Sequence, residues 1–217
     1  MNNIYENNMK IHPLLTFFEK NKKILVFIFI TIIFVASYFV INKQVTNKKN
    51  EEASIIYTSF LEEISSGDPN LDLINQDLNS LLEAYGSSGY TQIALLNKAS
   101  FDASNNNFEE SLNNFQKLVK ITDGYKGNKI YNKIARVSAA RILLSEKKYD
   151  EALNMIEEFS SKSTNAYIHE LTGDILLKQS KTDLSLAQYE MASEKYNDEV
   201  SKTIISMKIA NIGKQVE

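Results

Sequence analysis

The side chains that most often carry chemistry are few and scattered in this sequence. Only two histidines occur, His12 and His169, and they lie far apart along the chain. Glu170 follows His169, but the helical zinc-protease motif also needs a second histidine four residues after the first, and that residue is missing. We therefore expect His169 to be a helix-surface or inter-helix packing residue.

Three pairs of adjacent carboxylates, Glu109–Glu110, Asp150–Glu151 and Glu157–Glu158, are the next candidates for acid–base chemistry. Adjacent residues on a helix do not face each other, so these pairs are interpreted as solvated faces or partners of the helix dipole. The glycine-rich stretch 86–89 lacks the lysine that follows a phosphate-binding loop. The sequence thus predicts no catalytic, cofactor or metal site. An enzyme with unrecognisable residues is the alternative class.

Composition narrows the class of protein further. The 217 residues carry 24 Lys+Arg against 27 Asp+Glu, a formal net charge of −3, and no basic stripe that would predict a nucleic-acid partner. The absence of cysteine excludes disulfides, thiolate metal sites and a lipid-modified N-terminal cysteine. Only two prolines and seven glycines occur, which favours an all-α chain over a turn-rich β protein.

Residues 24–41 form an uncharged apolar run near the N-terminus. As a helix the run is about 27 Å long, close to the roughly 30 Å hydrocarbon core of a bilayer. Its continuous hydrophobicity argues against a core helix. A cleavable signal peptide is the rival interpretation, because Val35-Ala36-Ser37 offers small residues. The long preceding segment and the length of the run favour an uncleaved signal anchor.

Basic residues flank this run almost evenly. Four lysines precede it, with Lys20, Lys22 and Lys23 crowded at its edge, and three follow it within ten residues. This small bias predicts a cytoplasmic N-terminus, although charge alone leaves the orientation open.

The rest of the chain reads as a series of short helices, which must pack side by side to be stable. After two apolar stripes that end near residues 64 and 82, we predict helices at about 90–105, 107–121, 128–146, 148–160, 165–180, 182–196 and 198–212.

A repeat appears when these helices are aligned in pairs. Phe108, Tyr149 and Thr182 each open the second helix of a pair, at intervals of 41 and 33 residues. A six-residue loop at 122–127 accounts for the longer interval as an insertion on a period of about 34 residues. Asn107 followed by Glu110 further predicts a capped start for one of these helices.

A small and a large residue recur at fixed distances from the first residue of each second helix. A small residue nine positions earlier lets the two helices approach closely, and a large residue seven positions later fills the adjoining gap. This pattern resembles the tetratricopeptide repeat, in a degenerate form without the closing proline. The predicted packing residues are Ala99, Phe108, Phe115, Ala140, Tyr149, Ala152, Ile156, Gly173, Tyr189 and Ala192.

A short lead, one apolar span and a degenerate repeat domain, in that order, resemble the YfgM-like family, the ancillary subunit of the bacterial Sec translocon. The stretches that carry the likeness are IYEN at 4–7, IARV at 134–137, LTGDILL at 171–177 and MKIAN at 207–211. The resemblance implies a single-pass protein of the bacterial inner membrane, with a cytoplasmic N-terminus and a periplasmic C-terminal domain. It also implies two protein partners, the translocon channel and periplasmic chaperones.

We therefore predict an all-α protein with one N-terminal transmembrane helix followed by a tetratricopeptide-like α-solenoid. The predicted parts are a cytoplasmic lead (1–23), a transmembrane signal anchor (24–41), a linker (42–52) and a helical-repeat domain (53–217). We expect a protein-binding scaffold in contact with the lipid bilayer, with no cofactor and no nucleic acid. A repeat scaffold of another envelope complex is the alternative function.

Overall fold

The computed structural model describes residues 4–86, 88–124, 127–160 and 165–216, and the regular elements within them are all α-helices. In chain order these are α1 (Ile4–Ile64), α2 (Leu71–Tyr85), α3 (Gly89–Ser104), α4 (Phe108–Thr122), α5 (Lys129–Ser145), α6 (Tyr149–Ser160), α7 (Ala166–Lys178), α8 (Thr182–Lys195) and α9 (Glu199–Val216). The all-α fold class predicted from the sequence is confirmed.

The first of two compact units, Met1–Glu52, contains the apolar part of α1. Within the part of the chain that the structure describes, α1 is the one helix long and apolar enough to cross a membrane, with a mean hydropathy of 3.0 in its most apolar window. None of that window is buried in the protein, and Phe27 and Phe34 are 71% and 73% exposed. The Thr31 hydroxyl donates to the Phe27 carbonyl at 2.9 Å, so its polar group is satisfied within the helix.

Residues 42–52, for which we predicted a linker, are helical and continue α1. Lys48 and Glu52 form an exposed i,i+4 ion pair on this stretch, with Nζ and Oε1 3.9 Å apart. Such pairs stabilise a helix by only a few tenths of a kcal/mol. The division of the chain into four parts stays a prediction.

The second unit, Ala53–Glu217, is a stack in which each helix from α2 onward packs against the next along the chain. In addition, α3 packs against α5 and α5 against α7. The end of α1 belongs to this unit, since Ala53 and Phe60 are fully buried in its core. Each pair covers its apolar faces with its neighbours, because no pair can cover them alone. The buried residues form two clusters, a larger one from α1 to α7 and a smaller one that joins Leu177 of α7 to α8 and α9.

Asparagine side chains cap the first turns of three helices. The Oδ1 atoms of Asn70, Asn128 and Asn165 accept backbone N–H groups at the starts of α2, α5 and α7. Ser88 does the same for α3 through the N–H of Thr91, at 3.1 Å. Each of these caps satisfies a backbone donor that would otherwise have no partner within the helix.

The turns inside the three predicted pairs share one backbone geometry. Asn106, Lys147 and Ser180 each have a positive φ, at 62°, 63° and 61°. The next residue in each turn donates its N–H to the carbonyl five residues earlier, at 2.8–2.9 Å. This is a Schellman-type ending of the first helix. These matched turns give a structural repeat in register with the openings found in the sequence.

The predicted capping interaction at Asn107 is wrong in one respect. Asn107 is the N-cap of α4, but its side chain makes no capping hydrogen bond. Its backbone N–H is tied to the Asp102 carbonyl of the preceding turn at 2.8 Å. The turn between α3 and α4 is therefore closed by backbone bonds, not by the Asn107 side chain.

The insertion predicted between the first two pairs is closed by polar contacts, although its residues 125 and 126 lie outside the described residues. The Asn132 amide donates to Thr122 Oγ1 at 3.0 Å and to the Val119 carbonyl at 3.1 Å. A Cβ at Gly127 would lie 1.9 Å from the Thr122 carbonyl oxygen. Only glycine allows the returning chain to pass so close to the end of α4.

Candidate functional site

The structure places most of the predicted packing residues inside the stack. The buried ones are Ala99, Phe115, Ala140, Ala152, Ile156, Gly173, Tyr189 and Ala192. Of the two others, Tyr149 is half-buried and Phe108 is 40% exposed. Phe108 thus lies at the edge of the pair formed by α3 and α4, where it remains accessible to solvent.

Serine replaces the expected alanine in two of the second helices, and the structure gives these hydroxyls a partner. Ser111 Oγ donates to the Ala99 carbonyl at 2.7 Å, and Ser185 Oγ donates to the Gly173 carbonyl at 2.8 Å. Both serines are fully buried. Each bond therefore joins the two helices of a pair at their closest approach. The middle pair, with Ala152 at this position, has no hydroxyl to make the same bond.

Exposed apolar side chains lie on the first helices of the second and third pairs and on the final helix. Ile130, Ile134 and Val137 of α5 have the same i, i+4, i+7 spacing as Val200, Ile204 and Met207 of α9, and Tyr167 lies on α7. We call these seven residues the A face. All but Val137, which is half-buried, are 38–71% exposed. Ile134, Val137 and Tyr167 line one cavity and so lie together, and exposed apolar groups gathered in this way are typical of protein contact sites.

Two cavities open among the first helices of the pairs. One of about 270 Å³ lies between α5 and α7 and is lined by Ile134, Val137 and Tyr167 of the A face, together with Lys133, Ser138, Asn165 and Ile168. The other, of about 500 Å³, lies among α3, α4 and α5; its apolar walls include Phe108 and Phe115, and Arg141 is its charged residue. Ser138 lines both cavities, so the two adjoin along α5.

A charged cluster joins α9 to α7. Lys208 Nζ contacts Glu170 Oε1 at 2.8 Å and Asp174 Oδ1 at 2.7 Å. The Tyr189 hydroxyl donates to Asp174 Oδ1 at 2.6 Å, and the Tyr196 hydroxyl donates to Glu170 Oε2 at 2.5 Å. Each carboxylate therefore binds both the ammonium group and a phenol. Charge-assisted hydrogen bonds of this kind are the stronger ones in proteins.

Protonation in this cluster follows from its burial and its hydrogen bonds. Burial and the hydrogen bond to Asp174 raise the pKa of Tyr189, while burial and the bond to Glu170 raise the pKa of Tyr196. Burial alone would lower the pKa of Lys208, but hydrogen bonds to Asp174 and Glu170 outweigh it and raise that pKa. Neutral phenols and a charged ammonium are thus the forms the fold favours.

A second polar cluster is buried between α3 and α4. Lys98 and Asp102 are only 5% and 2% exposed, and Lys98 Nζ lies 2.5 Å from Asp102 Oδ1. The other carboxylate oxygen accepts the Asn114 amide at 3.0 Å. This cluster was not predicted from the sequence. The i,i+4 spacing of Lys98 and Asp102 was its one local signal.

His169, which the sequence offers as a candidate for metal binding or acid–base chemistry, takes part in helix packing. His169 is buried, and its Nδ1 lies 2.8 Å from Gln188 Oε1 of α8, which makes it an inter-helix contact. Among the residues the structure describes, no group of three or more His, Cys, Asp or Glu side chains has an arrangement able to hold a metal ion.

A family model described as "Tetratricopeptide repeat-like domain" matches residues 16–214. The chain belongs to the tetratricopeptide repeat-like domain family. The match covers both the apolar segment and the repeats found in the sequence. Stacked helix pairs of this kind generate an extended surface along the stack.

Two known proteins resemble this tetratricopeptide-like chain over three quarters of its length. An "Ancillary SecYEG translocon subunit" of Neisseria gonorrhoeae is 25% identical over 167 residues, which are 76% of this chain and 77% of that protein. The resemblance to the YfgM-like family, drawn from the sequence, is confirmed by this relative and by the family match.

The second similar protein is a solved structure. A "MamA RS-1 ArsTM double mutant" matches with a TM-score of 0.50 at 13% identity, over 76% of this chain and 96% of that chain. At this identity the likeness concerns the fold alone.

Proposed function

We propose that this protein is a membrane-anchored, non-catalytic binding scaffold and an ancillary subunit of the Sec translocon. The observation that carries the proposal is the likeness to the gonococcal translocon subunit over 76% of the chain. The exposed apolar part of α1 and the family match support it. Binding free energy is then the output of the protein, and the repeat domain supplies the surface for it.

The proposed arrangement keeps the four parts predicted from the sequence. Residues 24–41 are the uncleaved anchor in the inner membrane, residues 1–23 lie in the cytoplasm, and residues 53–217 lie in the periplasm. The ten predicted packing residues hold the helix pairs together, which leaves the A face available to partners. Anchoring raises the local concentration of this surface near membrane partners, so modest affinities suffice.

The proposed partners are the translocon channel, met by the anchor, and periplasmic folding factors, met by the repeat domain. The A face suits the second role because an apolar surface with a few charged groups at its edge recognises another protein. Lys133 and Arg141 supply cations there, and Glu170 and Asp174 supply the carboxylates of the neighbouring cluster.

The orientation is tested by substituted-cysteine labelling, for which the natural chain provides a cysteine-free background. Asn7→Cys and Asn154→Cys are placed on opposite sides of the anchor; Asn154 is an exposed residue of α6. A membrane-impermeant maleimide added to intact spheroplasts is expected to label Cys only at position 154. Permeabilised cells serve as the control, in which both variants are labelled. Labelling at position 7 alone would overturn the proposed topology.

The partner assignment is tested by purification of the tagged full-length chain from mild detergent. Channel subunits are expected in the eluate. When residues 24–41 are replaced by an unrelated apolar span, the channel subunits are expected to be lost from it. Consistent recovery of a different envelope complex would refute the translocon role. It would favour the alternative scaffold function instead.

A further inference from the structure

A polar cavity of about 420 Å³ opens among α2, α3 and α4. Its lining consists of asparagine, lysine, carboxylate and leucine side chains, and it is separate from the A face and from the two cavities described above. The volume lies in the range of sites for small molecules. We call this cavity the α2–α4 cleft.

The buried ion pair of Lys98 and Asp102 lines the cleft. An ammonium group carries three N–H donors, and Asp102 is the hydrogen-bond acceptor of Lys98 among the residues the structure describes. Buried polar groups in proteins are nearly always hydrogen-bonded, so a buried cation with a single acceptor has capacity left for a further one. A ligand in the cleft that offers oxygen acceptors meets this need.

Asn114 adds an acceptor beside this cation. Its side chain is buried, at 4% exposure, and its amide donates to Asp102 Oδ2 at 3.0 Å. Within the described part of the chain its Oδ1 accepts no hydrogen bond. The buried part of the cleft therefore presents both an N–H donor of Lys98 and a carbonyl acceptor of Asn114 to a ligand.

Three more asparagines line the exposed part of the cleft. Asn75 and Asn79 lie one turn apart on α2, and Asn107 is the N-cap of α4. An N-cap asparagine ordinarily uses its side-chain oxygen to cap the helix, but Asn107 makes no such bond. Since each amide offers two donors and an acceptor, these side chains can exchange hydrogen bonds of both directions with a ligand.

The charges that line the cleft cancel, because two lysines, Lys98 and Lys117, stand against two carboxylates. This balance favours a neutral ligand over an ion. Each hydroxyl group is one donor and two acceptors, so a sugar ring with several hydroxyls matches the mixed lining. Leu71 and Leu78 supply apolar contact for the C–H face of such a ring. A protein segment would need the aromatic and apolar anchors typical of protein interfaces, and two leucines are a poor supply.

We propose that the α2–α4 cleft binds a neutral saccharide, with its hydroxyl groups hydrogen-bonded to the asparagine amides and to the Lys98 ammonium. The proposal goes beyond the scaffold function, which assigns no ligand to this part of the domain. A soluble sugar and a glycan strand of the cell wall carry the same chemistry, and the experiment distinguishes these two sources.

The test uses the purified full-length chain in a detergent whose headgroup is not a sugar, because a maltoside would compete for the site. Isothermal titration calorimetry with maltose and with N,N′-diacetylchitobiose is the first arm, and cosedimentation with purified cell-wall sacculi is the second. Binding is expected in at least one arm. Tetraglycine capped at both ends, which offers amides without hydroxyls, is expected not to bind.

Variants assign the binding to the cleft. The double variant Asn75→Ala/Asn79→Ala removes two exposed amides and is expected to weaken binding at least about tenfold. Gln76→Ala/Glu83→Ala, at exposed positions of α2 outside the lining, is the matched control and is expected to bind normally. A chain in which Lys98→Met and Asp102→Leu are combined is expected to lose binding. Replacing both partners leaves no buried charge unpaired.

Binding of a soluble sugar that is weakened in the asparagine variant supports a soluble source, and the same dependence with sacculi alone supports a glycan strand. Binding in neither arm, unchanged binding in the asparagine variant, an equal loss in the control, or tighter binding of the capped tetraglycine would overturn the proposal. Circular dichroism confirms that each variant is folded. The cleft and the scaffold role fail separately, because recovery of channel subunits is measured without sugar.

Discussion

The ring of Tyr189 lies directly against the backbone of Gly173. A Cβ built on Gly173 would meet Tyr189 Cε1 at 2.6 Å and Cδ1 at 2.7 Å, closer than side chains approach in practice. Gly173 and Tyr189 are the small and large residues of the third pair, in the places that Ala99 and Phe115 occupy in the first. The third pair therefore needs glycine because its large residue is a tyrosine whose hydroxyl reaches Asp174.

Gly173→Ala is expected to destabilise the repeat domain, despite the gain in helix propensity of up to about 1 kcal/mol. Overpacking in a filled core costs about 1–3 kcal/mol, and the buried ring has little room to move. Urea denaturation followed by circular dichroism measures the change. In a Tyr189→Leu background the same substitution is expected to be neutral or stabilising, so a double-mutant cycle without coupling would contradict the packing described here.

Non-glycine residues with positive φ offer sites for stabilisation. Lys147 and Ser180 adopt φ values of 63° and 61° in the turns inside their helix pairs, a conformation that costs L-residues about 1–2 kcal/mol. Lys147→Gly is expected to raise the free energy of unfolding by up to about 1 kcal/mol. Lys117→Gly, the same exchange at an exposed position inside α4, is expected to lower it by about 1 kcal/mol. Equal signs for the two variants would rule out this explanation.

Lys208 is expected to stabilise the packing of the last helix, α9, against α7. In Lys208→Met the apolar stem remains, but Glu170 and Asp174 lose their shared cation, and we expect a loss of about 1–2 kcal/mol. Hydrogen exchange should show reduced amide protection in α9 with little change in α3 and α4. Lys202→Met on the same helix, whose ion pair with Glu199 is longer and exposed, is expected to change stability by less than about 0.5 kcal/mol.

The two phenols of this cluster predict a stability loss in alkaline solution. Since the pKa values of Tyr189 and Tyr196 are raised above the ordinary 10.0, their contribution is complete below that pH and disappears as the pH rises through the folded-state values. The free energy of unfolding should therefore fall with increasing pH above about 10. Tyr196→Phe is expected to flatten this fall, and an unchanged slope in that variant would argue against its bond to Glu170.

Local patterns were enough to predict the helices of the repeat domain. The helices predicted at 128–146 and 165–180 are observed as Lys129–Ser145 and Ala166–Lys178. Apolar periodicity and turn residues act over a few residues, so they can be read from one sequence. The last helix extends to Val216, four residues beyond its predicted end, because Gly213 does not stop it and no proline follows.

Local sequence patterns do not predict the contacts between helices that lie far apart in the sequence. Lys208 reaches Asp174 over 34 residues, and its partner depends on how α9 packs, which no local signal encodes. The cavity among α3, α4 and α5 was missed for the same reason, since its walls come from three helices. The left-handed residue Lys147 was also missed, because lysine gives no sign of a positive φ whereas glycine would.

The most direct test of the central claim is photocrosslinking within the membrane. A photoreactive amino acid is placed at several positions of 24–41, each on a different face of the helix, and the trapped proteins are identified by mass spectrometry. The account predicts that translocon channel subunits are captured from some faces and lipid alone from others. Capture of another complex from these positions, with no channel subunit from any face, would contradict it.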